Sequence, residues 1–205
     1  MLSMVTAAAG ALPTWYLANR VHAHTRLRIN DYCHNGTGAW ACEPLFEHAG
    51  AAFASLGVPA YVRHTHSADE GLWWPSTTDP PDAWHPLVRA TNRSLPSEFL
   101  AEAAASNIHV IFYHYMKTNA YYSTTHPEWR QQWPNGSSIT WERGVGLSPC
   151  DERWTSTYIR QVEQLVARAL QSPTVLQAVL GTALLEYHGK AYGGRRAPTN
   201  CCSIP

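Results

Sequence analysis

Short apolar runs alternate with helical segments through the middle of this chain. Residues 58–62 and 108–113 are apolar and rich in β-branched or aromatic side chains, which is typical of buried strands. The segments 43–56, 94–106 and 148–173 are predicted helices, because they combine apolar residues at helical spacing with Gly or Pro at their ends. This strand–helix order predicts a parallel sheet.

Two further strands are predicted nearer the ends of the chain, at 26–29 and at 183–186. The stretch just before the latter, 174–182, equally suits an extension of the third helix. The segments that follow the strands are long and aromatic, and residues 117–147 are predicted to form one long loop. The segments that lead into the strands are short. This asymmetry is typical of a (β/α)₈ barrel, whose active site is built from the loops at the carboxyl ends of its strands.

The predicted fold is therefore α/β, a partial (β/α)₈ TIM barrel of about three to four βα units over residues 21–190. A complete barrel needs about 250 residues, more than the 205 here. An N-terminal segment (1–20) and an irregular tail (191–205) would flank the barrel part. A doubly wound open sheet is the alternative, although no Gly-rich phosphate-binding motif follows any predicted strand.

The charge balance bears on the partners of the chain. Lys plus Arg and Asp plus Glu both number 15, so the basic field that nucleic acid binding requires is absent. No apolar run approaches the roughly 18 residues of a membrane span. Nine Trp, ten Tyr and eleven His favour a neutral, hydroxyl-rich ligand such as a carbohydrate. No nucleic acid, membrane, metal or cofactor is predicted as a partner.

The five cysteines leave the compartment open. Cys33 and Cys42 could form a disulfide in a secreted chain, or both could be free thiols. The N-terminus has no convincing signal peptide, although three Asn-x-Ser/Thr sequons are compatible with secretion.

Polar and aromatic side chains crowd the segment that follows the 58–62 strand. Indole faces stack on the apolar faces of sugar rings, while imidazoles and carboxylates bind hydroxyls or move protons. This composition predicts a sugar site, to which the segment contributes His64, His66, Asp69, Glu70, Trp73 and Trp74.

The stretch from His64 to Ser76 resembles the second-strand signature of fucosidase-like glycoside hydrolases, in which a His-rich pair precedes Asp-Gly and an aromatic ending. The third strand and its sequel, Val110 to Tyr115 followed by His126-Pro127-Glu128-Trp129, resemble the same group. The likeness covers roughly residues 26–171, and its closest match is the group of hypothetical glycosyl hydrolases.

The resemblance implies a retaining glycosidase barrel, with one carboxyl as nucleophile and another as general acid/base. The family's strand-four Asp motif is missing, and Glu186 is the residue that could take its place. Since no later strand supplies a second carboxyl, catalysis is uncertain. The expected substrate-binding residues are Asn30, Asp31, His64, His66, Asp69, Glu70, Trp73, Trp74, Tyr113, His114, Tyr115 and Trp129.

Two other functions are compatible with these residues. His64-x-His66 could bind zinc in a metal-dependent hydrolase, with His114 or the His22-x-His24 pair as further ligands. A non-catalytic half-barrel could instead bind carbohydrate or a protein partner. Such a half-barrel would be prone to associate through its open sheet edges.

Overall fold

The computed structural model of the protein describes residues 23–25, 49–67, 71–114, 118–133, 135–141, 144–171 and 178–180. Its strands are β1 (Ala23–Thr25), β2 (Ala60–His64), β3 (His66–Ser67), β4 (Gly71–Leu72), β5 (His109–Tyr113), β6 (Thr140–Trp141), β7 (Gly144–Val145) and β8 (Ala178–Leu180). Its helices are α1 (Ala49–Ser55), α2 (Pro86–Thr91), α3 (Leu95–Ala105), α4 (Ala120–Thr125) and α5 (Glu152–Leu170). Two 3₁₀ turns occupy Pro81–Ala83 and Pro127–Trp129.

Four of the strands form a small parallel sheet in the order β1-β2-β5-β8. The central pair, β2 and β5, is in register over five residues, from Ala60 opposite His109 to His64 opposite Tyr113. β1 and β8 each pair over three residues with these central strands. The α/β class predicted from the sequence is confirmed.

Helices α1, α2, α3 and α5 pack on one face of the sheet within the described part of the chain. Tyr61, Val110 and Phe112 point to that face and join a core with side chains of α1, α3 and α5. Side chains alternate along a strand. His64 and Tyr113 therefore project from the opposite face.

Helix α5 begins where an acidic cap supplies acceptors for its first free N–H groups. The Asp151 carboxylate accepts hydrogen bonds from the backbone of Arg153 and Trp154. The Arg153 side chain also donates to it, which lowers the pKa of Asp151. The predicted third helix is thus confirmed, with its first turn just after this cap, and its buried stripe comprises Trp154, Thr157, Tyr158, Gln161, Leu165 and Ala169.

Several predicted bounds differ from the observed ones. The strand predicted at 58–62 lies at Ala60–His64, because Pro59 precedes the first paired residue. The 26–29 and 183–186 predictions fall outside the described residues. The helix alternative for 174–182 is wrong at Ala178–Leu180, since these residues pair with β5.

The segment 117–147, predicted as one long loop, contains local structure instead. It carries α4, the 3₁₀ turn at Pro127–Trp129 and the small β6–β7 hairpin. Aromatic stacking supports this arrangement: the rings of Tyr122 and Trp129 lie 5.6 Å apart and nearly parallel.

The expectations about cysteine pairing and about membrane spans can be compared with the described residues only. Cys150 is disulfide-bonded, while Cys33 and Cys42 lie outside the described residues. None of the helices in the described ranges is both long and apolar enough to cross a membrane.

Candidate functional site

Two aromatic side chains mark the carboxyl ends of the central strands. His64 ends β2 and Tyr113 ends β5, and the two residues are register partners. Their ring centroids lie 5.1 Å apart in an edge-to-face arrangement. His64 is 8% exposed and Tyr113 is half-buried. An imidazole and a phenol therefore stand side by side on the face away from the helices, at the end of the sheet where parallel α/β folds bind ligands.

A short hairpin follows β2 and carries His66 at its start. The backbone of His66 pairs with Leu72 in the antiparallel β3–β4 ladder. After the hairpin the chain runs back alongside the end of β2, where the backbone N–H of Trp73 donates to the backbone carbonyl of Thr65 at 3.1 Å. Asp69 and Glu70, which fall between β3 and β4 in the sequence, lie outside the described residues.

Trp73 and Trp74 lie in the core on the helix-covered side of the sheet. Trp73 packs edge-on against Phe99 at 6.4 Å. Trp74 is fully buried, and its indole N–H donates to Gln164 Oε1 on α5 at 3.2 Å. Both indoles therefore pack on the helix-covered side of the sheet, opposite the face from which His64 projects.

His114 is also on the helix-covered side, in a chain of buried hydrogen bonds. Its Nδ1 lies 2.9 Å from Thr65 Oγ1, and its Nε2 lies 3.1 Å from Gln161 Oε1. The Gln161 amide nitrogen donates to Asp79 at 2.7 Å, so its oxygen must face the imidazole. His114 therefore carries its proton on Nε2 and accepts from Thr65 at Nδ1.

Asp79 anchors this chain of hydrogen bonds, and sequence reasoning missed it because Asp79-Pro80-Pro81-Asp82 is typical of a surface turn. The Asp79 carboxylate is 5% exposed and accepts from Tyr122, Gln161, Ser76 and Thr78. The signal available in the sequence was the hydroxyl-rich run directly before it, whose side chains satisfy a buried carboxylate.

The pH dependence of stability should report the state of His114. Burial lowers the pKa of His114 from 6.5 to about 4, although Gln161 and the charge of Asp79 act in the opposite direction. Below pH 6.5 the unfolded chain binds a proton that the folded chain does not, so stability falls as the pH drops from 6.5 to 4. The loss is on the order of 3 kcal/mol.

Urea unfolding of wild type and His114→Gln at pH 7 and pH 5 checks this dependence. We expect the variant to be less stable at pH 7, because it loses the bond to Thr65, and the difference to narrow at pH 5. If the unfolding free energies of the two proteins changed equally with pH, the pH dependence could not be attributed to His114.

Trp129 lies apart from the strand ends, at one wall of a cleft of about 500 Å³. The His126 ring stacks on one face of the Trp129 indole, with 3.9 Å between the ring centroids, and covers that face. The first turns of α5 line the rest of the cleft with Glu152, Arg153, Ser156, Thr157 and Arg160.

The remaining predicted site residues, Asn30, Asp31, Tyr115 and Glu186, lie outside the described residues, as does His22 of the metal alternative. Within the described ranges, no three side chains of His, Cys, Asp or Glu cluster as metal ligands would. The zinc hypothesis therefore stays a prediction.

Comparison with known proteins identifies a fold. No protein-family model and no curated protein sequence matches this chain. Among solved structures, alpha-L-fucosidase isoenzyme 2 from Paenibacillus thiaminolyticus is similar over 71% of this chain and 21% of its own, at 12% identity and a TM-score of 0.51. A hypothetical protein from Ruminiclostridium thermocellum matches 60% of this chain and 64% of its own, at 20% identity and a TM-score of 0.46.

A third similar structure is the alpha-fucosidase of Thermotoga maritima in complex with fucose, at 12% identity and a TM-score of 0.42, over 60% of this chain and 26% of its own. The similarity to the Paenibacillus enzyme shows that the fold of the chain is glycoside-hydrolase-like. This chain spans about a fifth of the length of the Paenibacillus enzyme.

Proposed function

We propose that this chain is part of a glycosidase-type (β/α)₈ barrel and binds a neutral carbohydrate at the carboxyl ends of its strands. The observation that carries the proposal is the pairing of His64 and Tyr113 at adjacent strand ends, on the face without helices. In a barrel that face is the interior, and its carboxyl end is the mouth of the active site.

The arrangement of the helices favours a barrel over an open sheet. Side chains of α1, α3 and α5 share one core on one face of the sheet in the described part of the chain. A doubly wound sheet places helices on both faces. The flank of α5 also exposes three apolar residues, Ile159, Val166 and Leu170, which the helix of the following unit would cover in a barrel.

The chemistry of the paired side chains suits hydroxyl groups. An imidazole and a phenol can each donate and accept hydrogen bonds, and both present an apolar edge to a sugar ring. Hydrolysis also needs two carboxyls. Asp79 is engaged on the helix side, so Asp69, Glu70 and Glu186 are the candidates that we propose for this role.

Calorimetric titration of the full chain with L-fucose and D-galactose tests the proposal. We expect binding of at least one sugar, and a loss of about fivefold in affinity for His64→Ala or Tyr113→Ala, since each removes hydrogen bonding worth about 1 kcal/mol. His109→Ala is the matched control. This histidine lies on the same strand face but at the amino end of β5, and its replacement should leave the affinity unchanged.

Absence of binding by the wild type, or equal losses for His64→Ala and His109→Ala, would contradict the proposal. Release of nitrophenol from aryl glycosides, abolished in Glu186→Gln, would add hydrolysis to binding. Binding without release would favour a non-catalytic sugar-binding module.

A further inference from the structure

We infer that Asn135 is a site of N-linked glycosylation and that the first sugar of the glycan packs against Trp133. Asn135, Gly136 and Ser137 form one of the Asn-x-Ser/Thr sequons of the chain, and the carbohydrate site at the strand ends leaves this motif without a role. The glycan would be a covalent part of the protein, and it is therefore independent of the ligand proposed for that site.

The sequon lies at the tip of a tight hairpin. The backbone N–H of Gly136 donates to the Trp133 carbonyl at 2.9 Å, and the backbone N–H of Trp133 donates to the Ser137 carbonyl at 2.8 Å. Gly136 has a φ of +82°, as a short hairpin loop of this kind requires. All three residues of the sequon are exposed, and no heavy atom of the described residues lies within 4 Å of a Cβ added at Gly136. The tip therefore has room for a bulky group.

The side chain of Asn135 is oriented by its own sequon. Its Oδ1 accepts hydrogen bonds from the backbone N–H of Ser137 at 3.1 Å and from Ser137 Oγ at 2.7 Å. The turn thus uses the oxygen of the amide, whereas a glycan is attached to the nitrogen. Glycosylation of Nδ2 would leave both hydrogen bonds in place.

The transfer needs a lipid-linked oligosaccharide diphosphate as co-reactant. A bond forms between Nδ2 of Asn135 and the anomeric carbon of the first sugar, and the bond from that carbon to the diphosphate breaks. The lipid diphosphate leaves with the electron pair, and the amide nitrogen gives up one of its protons. No electrons are exchanged with an oxidant or a reductant.

The disulfide at Cys150 indicates the kind of compartment in which this transfer occurs. Cys150 is exposed and disulfide-bonded. Thiols are kept reduced in the cytosol, and exposed disulfides are the most easily reduced, so this bond favours an oxidising compartment such as the lumen of the secretory pathway. N-linked glycans are added in the same lumen. The disulfide and the sequon therefore indicate one compartment.

Trp133 supplies an aromatic surface beside the attachment point. It lies two residues before Asn135, pairs with Ser137 across the hairpin and is partly exposed. Indole faces stack on the apolar faces of sugar rings. A sugar attached to Asn135 therefore begins next to a surface that can hold it.

The sequon at Asn92 has a different setting. Asn92 is exposed, but it caps the end of α2 with a φ of +54°. The Ser94 hydroxyl lies 2.8 Å from Ser97 Oγ, and α3 begins at the buried Leu95. A glycan at this position would lie between two helices of the core, whereas the hairpin tip presents Asn135 to solvent.

Peptide mapping of the full chain, isolated from the cells that naturally produce it, tests this inference. Peptide:N-glycosidase F releases N-linked glycans and converts the acceptor Asn to Asp with an oxygen taken from water. Digestion in water labelled with heavy oxygen should therefore convert Asn135 to labelled Asp. Earlier spontaneous deamidation of the Asn-Gly pair gives unlabelled Asp. Unlabelled Asp or unmodified Asn at this position would overturn the inference.

Ser137→Ala and Ser138→Ala form a matched pair of variants for the same mapping. Ser137 completes the sequon, whereas Ser138 is its neighbour outside it. We expect Ser137→Ala to abolish the labelling, and Ser138→Ala and Ser137→Thr to retain it. Ser137 is exposed, so its replacement should not disturb folding. Labelling that persists in Ser137→Ala would contradict a glycan, because it would not depend on the sequon.

Thermal unfolding tests the contact with Trp133. Removal of the glycan should lower the unfolding midpoint of the wild type by about 2–4 °C and that of Trp133→Ala by much less, since the variant has no indole for the sugar to stack on. The conversion of Asn135 to Asp accompanies the removal in both proteins, so its effect cancels in the comparison. Equal shifts would show that the first sugar does not pack against Trp133.

Discussion

Replacing Gly71 with Ala should cost at least about 4 kcal/mol of unfolding free energy, a loss large enough to unfold many domains. Gly71 has a φ of +96°, and a Cβ added there would lie 2.3 Å from the Ala83 carbonyl oxygen. Backbone on both sides holds this contact: β4 pairs with β3, and the Leu72 carbonyl accepts from His85. Neither segment can retreat without breaking its hydrogen bonds.

Gly57→Ala separates the close contact from the cost of a positive φ. Gly57 has a φ of +71°, yet nothing lies within 4 Å of its added Cβ. This control should lose only about 1 kcal/mol, the ordinary cost of placing Ala in the left-handed region. Urea unfolding measures both variants, and similar losses for the two would show that Ala83 does not restrict Gly71.

Replacing Asp79 with Ala should destabilise the protein by about 3–5 kcal/mol, since it leaves several buried donors without an acceptor. Tyr122 and Gln161 both donate to one carboxylate oxygen, and Ser76 donates to the other. Burial and the bond to Asp79 raise the pKa of Tyr122 well above its ordinary value, so its hydroxyl stays a donor. Removing the carboxylate should also weaken the contact between α5 and the segment that follows β4, since Asp79 accepts a hydrogen bond from Gln161 of α5.

Asp82→Ala is the control for this variant, because Asp82 lies in the same turn but is 75% exposed and pairs only with Arg89 among the described residues. Asp82→Ala should lower the free energy of unfolding by no more than about 0.5 kcal/mol. Thermal unfolding of the two variants in the same buffer compares their losses of stability. An Asp79→Ala protein as stable as Asp82→Ala would mean that the buried hydrogen bonds contribute nothing.

The sequence was sufficient for the elements with strong local signals. The 94–106 helix has Pro in its first turn, and its observed bounds, Leu95–Ala105, differ by one residue at each end. The 108–113 run is nearly all apolar, which marks a central strand. β1 and β8 were missed because each is three residues long and is defined by pairing with β2 and β5 rather than by composition.

The faces of side chains were harder to predict than the elements. His64 and Tyr113 lie together as the strand-end pattern suggested, because parallel strands in register bring their ends together. Trp74 and His114 are residue types that suit a sugar site, but both pack against α5 on the helix-covered side of the sheet. Asp79 could not be foreseen, since its partners Tyr122 and Gln161 are 43 and 82 residues away along the chain.

The most direct test of carbohydrate binding at the strand ends is a histidine-detected NMR titration of the full chain with L-fucose and D-galactose. The ring resonances of His64 should shift as sugar is added, while those of His114, buried on the other side of the sheet, should stay in place. A titration in which His64 does not respond, or in which His114 responds more strongly, would contradict a carbohydrate site at this end of the sheet.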